Sequence, residues 1–167
     1  FLHLWTLDAN WNWASSGSVA GLDSSTAWSW EEQFQVDANR DGLIGGFASI
    51  ETTGNTKLLR RLDNKPFAQV GSGPRLEITS PWGSRPGSDS TPWQMLAGDT
   101  IDGVNTLLWR NNDGNFLHLW TLDANWNWAS SGSVAGLDSS TAWSWEEQFQ
   151  VDANRDGFFG APIYPSA

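Results

Sequence analysis

The chain has 167 residues, a formal net charge of -10 and a pI of about 4.3, with 13 tryptophans and no cysteine. This acidity argues against binding to the phosphates of nucleic acid or to an anionic lipid surface. The lack of cysteine excludes disulfides and thiolate metal sites. No apolar run reaches the length of about 18 residues that a membrane-spanning helix needs, so no membrane insertion is expected.

A repeated segment organises the chain, because residues 1–42 recur without one substitution as residues 116–157. Core packing tolerates many hydrophobic swaps, so such identity indicates recent duplication within a repetitive chain. A fainter match relates Asn55–Arg60 to Asn105–Arg110. The predicted modules are a truncated one over 1–46, a diverged one over 47–103 and a complete one over 104–160, with 47–160 as one repeat unit and 161–167 as a C-terminal tail.

The first module starts at Phe1, which aligns with Phe116, so it lacks a counterpart of the strand predicted at Thr106–Arg110. Its sheet is therefore expected to have an unpaired edge. Such an edge is a template for a strand from elsewhere in the chain or from a neighbouring molecule. The alternative is that a longer native chain supplies the missing strand.

Two acidic loops carry the sharpest motif, D-x-N-x-D-G, at Asp37–Gly42 and Asp152–Gly157. The pattern places oxygen side chains at positions 1, 3 and 5 and a glycine at position 6, and such hard oxygen ligands select calcium. The alternative is an Asx-rich turn without metal. The predicted ligands are Asp37, Asn39, Asp41 and the Leu43 carbonyl in the first loop, and Asp152, Asn154, Asp156 and the Phe158 carbonyl in the second.

Both loops depart from the EF-hand pattern at position 12, where Ala48 and Ile163 stand in place of the bidentate glutamate. Replacement ligands must come from nearby acidic residues, and Glu51 could serve only the first loop. The candidates on the preceding helices are Glu31 or Glu32 and Glu146 or Glu147, of which we select Glu32 and Glu147. An incomplete ligand set predicts a dissociation constant of about 10⁻⁴–10⁻³ M, which suits a site filled outside cells.

The diverged module contains Pro92 at a position where a first-turn proline is tolerated, and we predict one short helix here as in the other modules. Asp99–Gly103 occupies the place of the acidic loop in this module. It lacks the ligand set, so it is predicted to be free of metal.

The complete module begins with strand patterns at Thr106–Arg110 and Phe116–Leu122, separated by an Asp-Gly turn signal within 111–114. Asp123–Asn125 then predicts a second turn, in preference to a further oxygen cluster. The third strand is placed at Trp126–Ala129. This order predicts a three-stranded antiparallel meander.

After a loop rich in serine and glycine, the side chains of 138–141 offer N-caps for a helix over Ala142–Phe149. Trp145 and Phe149 are four residues apart, so they form an apolar stripe that can cover the sheet. The predicted class is therefore α+β, with tandem modules that each combine a short antiparallel β-meander, one covering helix and a calcium-type loop.

The tryptophans allow a second interpretation, because exposed indoles can stack on sugars. Trp11 and Trp13 alternate with a polar residue and are expected to face one side. We favour packing of this pair against Trp30 and Phe34 in a core. No catalytic motif is present, and the leucine-flanked His3 and its copy His118 fit a packed or surface role, so an enzyme is not expected.

Four segments rich in tryptophan and leucine form a further pattern: 54–63, 78–83, 107–111 and 119–126. In these segments the chain resembles the tryptophan-rich repeat domain of large cyanobacterial proteins. The resemblance ends near Gly160, and it implies an extracellular or cell-surface location and a repeat architecture. Together with the loops it predicts a calcium-binding structural module of a surface, fibre or matrix protein that associates with itself or with neighbouring repeats. The alternative is a module that binds polysaccharide.

Overall fold

The computed structural model describes residues 1–83 and 92–162, and the chain divides into two compact units. Unit 1 is Phe1–Phe47 and unit 2 starts at Ala48. The strands are β1 Leu2–Leu7, β2 Trp13–Ala20, β3 Phe47–Glu51, β4 Thr56–Arg61, β5 Pro66–Val70, β6 Arg75–Glu77, β7 Trp93–Ile101, β8 Val104–Asn111, β9 Phe116–Leu122 and β10 Trp128–Gly136. The helices are α1 Ser25–Phe34 and α2 Ser140–Phe149.

Unit 1 consists of the antiparallel pair β1–β2 followed by α1. The Asp8 carboxylate turns the chain between the strands by accepting the backbone N–H groups of Asn10 and Asn12 at 2.8 and 2.9 Å. Among the described residues β1 pairs with β2 alone. The unpaired sheet edge predicted for the first module is therefore present.

Unit 2 contains two four-stranded sheets, ordered β3-β4-β5-β6 and β10-β9-β8-β7. The weak internal match corresponds to equivalent strands of the two sheets. Asn55–Arg60 lies along β4 and Asn105–Arg110 along β8, and each is the second strand of its sheet in chain order. Apolar residues of both sheets meet in one core, and its fully buried members include Leu58, Ile78, Met95, Leu107 and Trp126. One face of the second sheet therefore packs on the first sheet.

The opposite face of the second sheet is covered by α2. Successive side chains of β8 point to opposite faces of the sheet, so Leu107 lies in the core between the sheets and Leu108 lies in the core beneath the helix. Trp145 and Phe149 pack into that helical core with Leu108. The helix predicted at Ala142–Phe149 is confirmed, and its N-cap is Ser139, whose hydroxyl accepts the N–H of Ala142 at 3.2 Å. The α+β class is confirmed as well.

The helix predicted after Pro92 is wrong, since Trp93–Ile101 forms strand β7. This strand pairs with β8 from Trp93↔Asn111 to Ile101↔Val104. A two-residue turn of Asp102 and Gly103, with φ of 50° and 78°, closes the hairpin. Asp-Gly between apolar runs is a stronger hairpin signal than a proline is a helix signal. The segment read as a metal-free loop is thus the end of this hairpin.

The predicted three-stranded meander is also corrected, because the second sheet has four strands and its last strand lies later than expected. The serine- and glycine-rich segment read as a loop forms most of β10. The register with β9 shifts between Ser131 and Val134. At this irregularity a Cβ on Gly132 would lie 2.7 Å from the Leu119 carbonyl oxygen, so glycine permits the close approach of the two strands.

The predicted packing of Trp11 and Trp13 against Trp30 and Phe34 is wrong. In unit 2 their counterparts Trp126 and Trp128 join the core between the two sheets, whereas Trp145 and Phe149 lie in the core beneath α2. The two pairs therefore occupy opposite faces of the sheet. In unit 1 Trp11 and Trp13 are exposed.

None of the helices in 1–83 and 92–162 combines the length and the hydrophobicity required to cross a bilayer. Ile163 and the rest of 163–167 lie outside the described residues. The module boundaries stay a prediction, although β7, from the predicted middle module, pairs with β8 of the predicted third module.

Candidate functional site

The first acidic loop follows α1 and is closed by its own carboxylates. Asp37 accepts the backbone N–H groups of Asp41 at 3.2 Å and Gly42 at 3.0 Å. Asn39 Oδ1 accepts the N–H of Asp41 at 3.0 Å, and Asp41 accepts the N–H of Leu43 at 2.8 Å. The predicted side chains at positions 1, 3 and 5 therefore come together around one tight turn.

The second loop repeats this geometry after α2. Asp152 accepts the N–H groups of Asp156 at 3.1 Å and Gly157 at 2.9 Å, and Asp156 accepts the N–H of Phe158 at 2.9 Å. Gly157 has a φ of 90°, a left-handed conformation that favours glycine. This is the sharp bend that position 6 of a calcium loop requires.

Glu31 and Glu146 anchor the loops to their helices, a role that the sequence reasoning did not assign. The buried Glu31 carboxylate accepts backbone N–H groups from Ala38, Asn39 and Gly45 at 3.1, 3.1 and 3.2 Å. Glu146 does the same for the second loop, accepting from Asn154 at 2.8 Å and from Gly160 at 3.3 Å. These carboxylates hold each loop in place through its backbone.

Burial raises the pKa of Glu146 above its ordinary value, although the N–H groups of Asn154 and Gly160 act in the opposite direction. A sequence signal for this inward glutamate exists. Ala142, Glu146 and Phe149 follow helical spacing, which places them on one face of α2, and all three are buried.

The selected ligands Glu32 and Glu147 lie beside glycines at the far end of each loop. A Cβ on Gly45 would collide with the Glu32 side chain, and one on Gly160 would collide with Glu147. The structure thus brings Asp37, Asn39 and Asp41 together, and it places Glu31 nearest to the loop backbone. Asp152, Asn154 and Asp156 come together in the same way.

The donor set fits an oxygen-ligated cation in part. Each loop offers two aspartates, one amide oxygen and the carbonyl of Leu43 or Phe158, all of which are hard oxygen donors. No group of three or more His, Cys, Asp or Glu side chains that could hold a metal ion occurs within 1–83 and 92–162. The loop carboxylates and the anchoring glutamates all accept backbone N–H groups in this structure.

The identical copies have different surroundings, and this contrast is the main feature of the molecule. Trp120 is 6% exposed and Trp126 is 2% exposed in unit 2, whereas their counterparts Trp5 and Trp11 are 60% and 82% exposed. On the helical face Phe149 of unit 2 is 4% exposed, whereas its counterpart Phe34 in unit 1 is 55% exposed. The same sequence is therefore a covered element in unit 2 and an uncovered one in unit 1.

The helical face of unit 1 contains an open groove of about 160 Å³. Its lining residues are Leu2, His3, Leu4, Trp30, Glu31, Phe34, Val36 and Ala38. In unit 2 the apolar counterparts of these residues pack in one core with Ala97 and Leu108, and the guanidinium of Arg110 donates to the Ala153 carbonyl at 2.6 Å. Unit 1 has no counterpart of β7 or β8, so the groove marks the space that this hairpin fills in unit 2.

Unit 2 also has an aromatic pocket of about 110 Å³. It is lined by Trp82, Trp93, Trp109, His118, Trp120 and Ser131. Burial lowers the pKa of His118, so its imidazole is neutral near pH 7 and offers one donor and one acceptor nitrogen. The pocket combines flat apolar walls with a few polar groups.

The chain matches the family model of the tryptophan-rich Synechocystis species C-terminal domain over residues 1–45 and 56–160. The chain belongs to this family. The match includes both copies of the repeated segment, and it identifies the chain as a cyanobacterial tryptophan-rich domain. Comparison of this chain with curated proteins and with solved structures found no match.

Proposed function

We propose that this tryptophan-rich domain is a non-catalytic structural repeat of an extracellular surface, fibre or matrix protein, and that its copies associate by strand complementation. The observation that supports the proposal is the contrast between the two identical segments. Residues 116–157 are covered on both faces in unit 2, whereas residues 1–42 leave both faces and one strand edge open in unit 1.

The energetic reason for association is the exposed aromatic surface of unit 1. Full burial of one large apolar side chain contributes about 1.5–3 kcal/mol. Trp5, Trp11 and Phe34 all remain more than half exposed. Large exposed apolar surfaces mark interaction sites in soluble proteins, and unit 1 exposes aromatic side chains on both of its faces. The free edge of β1 adds backbone groups that another strand can pair with.

Association is tested by multi-angle light scattering on the full chain over a range of protein concentrations. The proposal predicts a mass that rises above that of the monomer of 18.4 kDa. A monomer at every concentration, with and without calcium, would refute self-association.

Calcium binding is the second part of the proposal. It is supported by the D-x-N-x-D-G order, by the convergence of the loop oxygens and by the left-handed glycine at position 6. The proposed ligands are Asp37, Asn39, Asp41, the Leu43 carbonyl and Glu32 in the first loop, and Asp152, Asn154, Asp156, the Phe158 carbonyl and Glu147 in the second. The ion would neutralise carboxylates that lie close together in an acidic chain, and so it would stabilise each loop against its helix.

Calorimetry measures this directly. We expect weak binding, with a dissociation constant of about 10⁻⁴–10⁻³ M, and a loss of one site in Asp37→Asn and of the other in Asp152→Asn. EDTA should lower the melting temperature of the calcium-loaded wild type and should leave the double variant unchanged. Calcium binding would be refuted if millimolar calcium gave no heat of binding and if the wild type had the same melting temperature with and without EDTA.

A second candidate function is glycan binding, and the aromatic pocket of unit 2 supports it. Indole faces stack on pyranose rings, and His118 and Ser131 could bind hydroxyls. Titration of oligosaccharides should then quench tryptophan fluorescence in the wild type, and Trp93→Ala should weaken this response. If no polysaccharide of a panel changed the tryptophan fluorescence, the glycan-binding function would be refuted and only the structural role would remain.

A further inference from the structure

We infer that the aromatic pocket of unit 2 is a binding site for a quaternary ammonium group, the positively charged trimethylammonium end of a small ligand. Such a site requires neither self-association nor calcium. Its ligand belongs to a different class from the glycans considered above.

The walls of the pocket are indoles that the fold brings together. Trp93, Trp109 and Trp120 come from the neighbouring strands β7, β8 and β9, and Trp82 lies in a turn outside the sheets. The electron-rich face of an aromatic ring attracts a cation, and tryptophan attracts it most strongly. Four indoles around one space are the composition of the aromatic cages that bind quaternary ammonium ligands.

The shape of the pocket suits a compact, rounded group. The rings of Trp109 and Trp120 are inclined by 53° with centroids 5.0 Å apart, and those of Trp93 and His118 are inclined by 48°. Inclined rings can surround a group, whereas a pyranose ring stacks on one flat face. The volume of about 110 Å³ is also well below the about 300–1,000 Å³ of sites for drug-sized ligands. The space therefore fits one small head group better than an oligosaccharide.

Polar partners in the pocket are few. Apart from the indole N–H groups, the polar side chains that line it within the described residues are His118 and Ser131. A sugar that enters such a site leaves several hydroxyls without partners, and each unpaired buried hydroxyl costs free energy. A trimethylammonium group carries no N–H or O–H and needs no hydrogen-bond acceptor. The lining therefore favours the cation over the sugar.

The charges at the pocket favour a cation as well. Within 1–83 and 92–162, the residues that line it include no lysine and no arginine. Burial lowers the pKa of His118, so its imidazole is uncharged near pH 7. The chain as a whole has a net charge of -10, and the field of an acidic protein attracts cations to its surface. This lining therefore contains no side chain that would repel a quaternary ammonium group.

Unit 1 provides an internal control, because it repeats part of the lining without the other walls. Trp5 and Ser16 are the copies of Trp120 and Ser131. Trp5 is 60% exposed, and unit 1 contains no copy of the tryptophans of β7 and β8. We therefore expect one site in this chain, in unit 2.

Choline is the first probe, and 3,3-dimethyl-1-butanol is its control, since it has the same shape without the positive charge. Indole ring currents shift the methyl proton resonance of a bound ligand upfield, and NMR titration with the full chain measures this shift. We expect a saturable shift for choline and about tenfold weaker binding of the neutral alcohol. Equal affinities for the two probes, or no shift with choline, would overturn the inference.

Two exposed serines at identical places in the repeated segment give matched charge variants. Ser131→Arg should weaken choline binding about threefold at low salt, and Ser131→Asp should strengthen it by about the same factor. Ser16→Arg in unit 1 should leave it unchanged. A neutral ligand does not distinguish the two charges, so effects of the same sign from Ser131→Arg and Ser131→Asp would contradict a cation in the pocket.

A tryptophan pair controls for loss of folding. Trp82 is 66% exposed and Trp5 is 60% exposed, so removal of either side chain leaves the cores intact. Trp82→Ala should reduce the affinity for choline about fivefold or more, whereas Trp5→Ala should not change it. Equal melting temperatures of both variants and the wild type establish that they fold. Unchanged choline binding in Trp82→Ala would overturn the assignment to this pocket.

The same variants distinguish the possible ligands. Oligosaccharide binding that is lost in Trp82→Ala, with no choline shift, would overturn the cation site and assign the pocket to glycans. Phosphatidylcholine vesicles that bind the wild type but not Trp82→Ala would identify a lipid headgroup as the source of the trimethylammonium group. Choline binding without vesicle binding would identify a dissolved compound. Both of the last two results support the proposed chemistry.

Discussion

At the residue scale, the acidic loops show how much chemistry a short motif predicts. Asp37, Asn39 and Asp41 come together as their spacing predicts, because the loop is local in sequence and a glycine sets its bend. The role of Glu31 was missed. Its carboxylate binds N–H groups seven to fourteen residues away, and that contact depends on how the chain returns to the helix. Neighbouring glutamates on one helix cannot be distinguished by type alone.

A pH dependence follows from Glu146. Burial raises its folded pKa above the ordinary 4.5, so the folded protein keeps this proton to a higher pH than the unfolded chain does. The stability that this linkage contributes is full below pH 4.5 and is lost as the pH rises through the raised pKa. Glu146→Gln should lack this loss, whereas Glu147→Gln should retain it. Urea unfolding between pH 4 and 7 measures the effect, and parallel curves for wild type and Glu146→Gln would contradict it.

Gly132 gives a prediction with a matched control on the same strand. An added methyl group would meet the Leu119 carbonyl at 2.7 Å, whereas one on Gly136 would meet nothing within 4 Å. Gly132→Ala should therefore lower the free energy of unfolding by about 1–3 kcal/mol, and Gly136→Ala should change it by less than about 0.5 kcal/mol. Chemical denaturation of both variants is the measurement. Equal effects would show that the close approach does not constrain β10.

At the element scale, helix α2 and strands β8 and β9 were predictable because their hydrophobic periodicity and turn signals agree. The failures have a common cause. β7 was predicted to be a helix because Pro92 suits a first helical turn and the other modules were expected to have one, yet its pairing with β8 decides its conformation. The serine-rich β10 has little apolar alternation, and its conformation depends on pairing with β9. Tertiary pairing can override a weak local signal.

The two helices, identical in sequence, allow a comparison of environments. Phe149 is buried beneath α2 at 4% exposure and Phe34 on α1 is 55% exposed. Phe149→Ala should lower stability by about 3–5 kcal/mol, because it leaves a cavity in the core. Phe34→Ala should lower the free energy of unfolding of the dilute monomer by well under about 1 kcal/mol, because this side chain is already exposed. Thermal unfolding of both variants is the measurement, and similar losses would mean that Phe34 is covered in solution.

At the scale of the whole molecule, the sequence predicted the duplication, the α+β class and the open edge of β1. It could not predict what covers the second copy, because residues far apart along the chain build that environment: β4, β7 and β8 all contribute to the cores around residues 116–157. The open faces of residues 1–42 became visible only through comparison with their covered counterpart. That comparison connects the fold to assembly.

The most direct test of this account is sedimentation equilibrium of the wild type and of Leu2→Asp over the same concentration range. Leu2 lines the open groove of unit 1, and its counterpart Leu117 is fully buried in unit 2. The account predicts that the wild type associates as concentration rises and that Leu2→Asp stays monomeric with an unchanged melting temperature for unit 2. Equal association of the two proteins, or a monomeric wild type throughout, would contradict it.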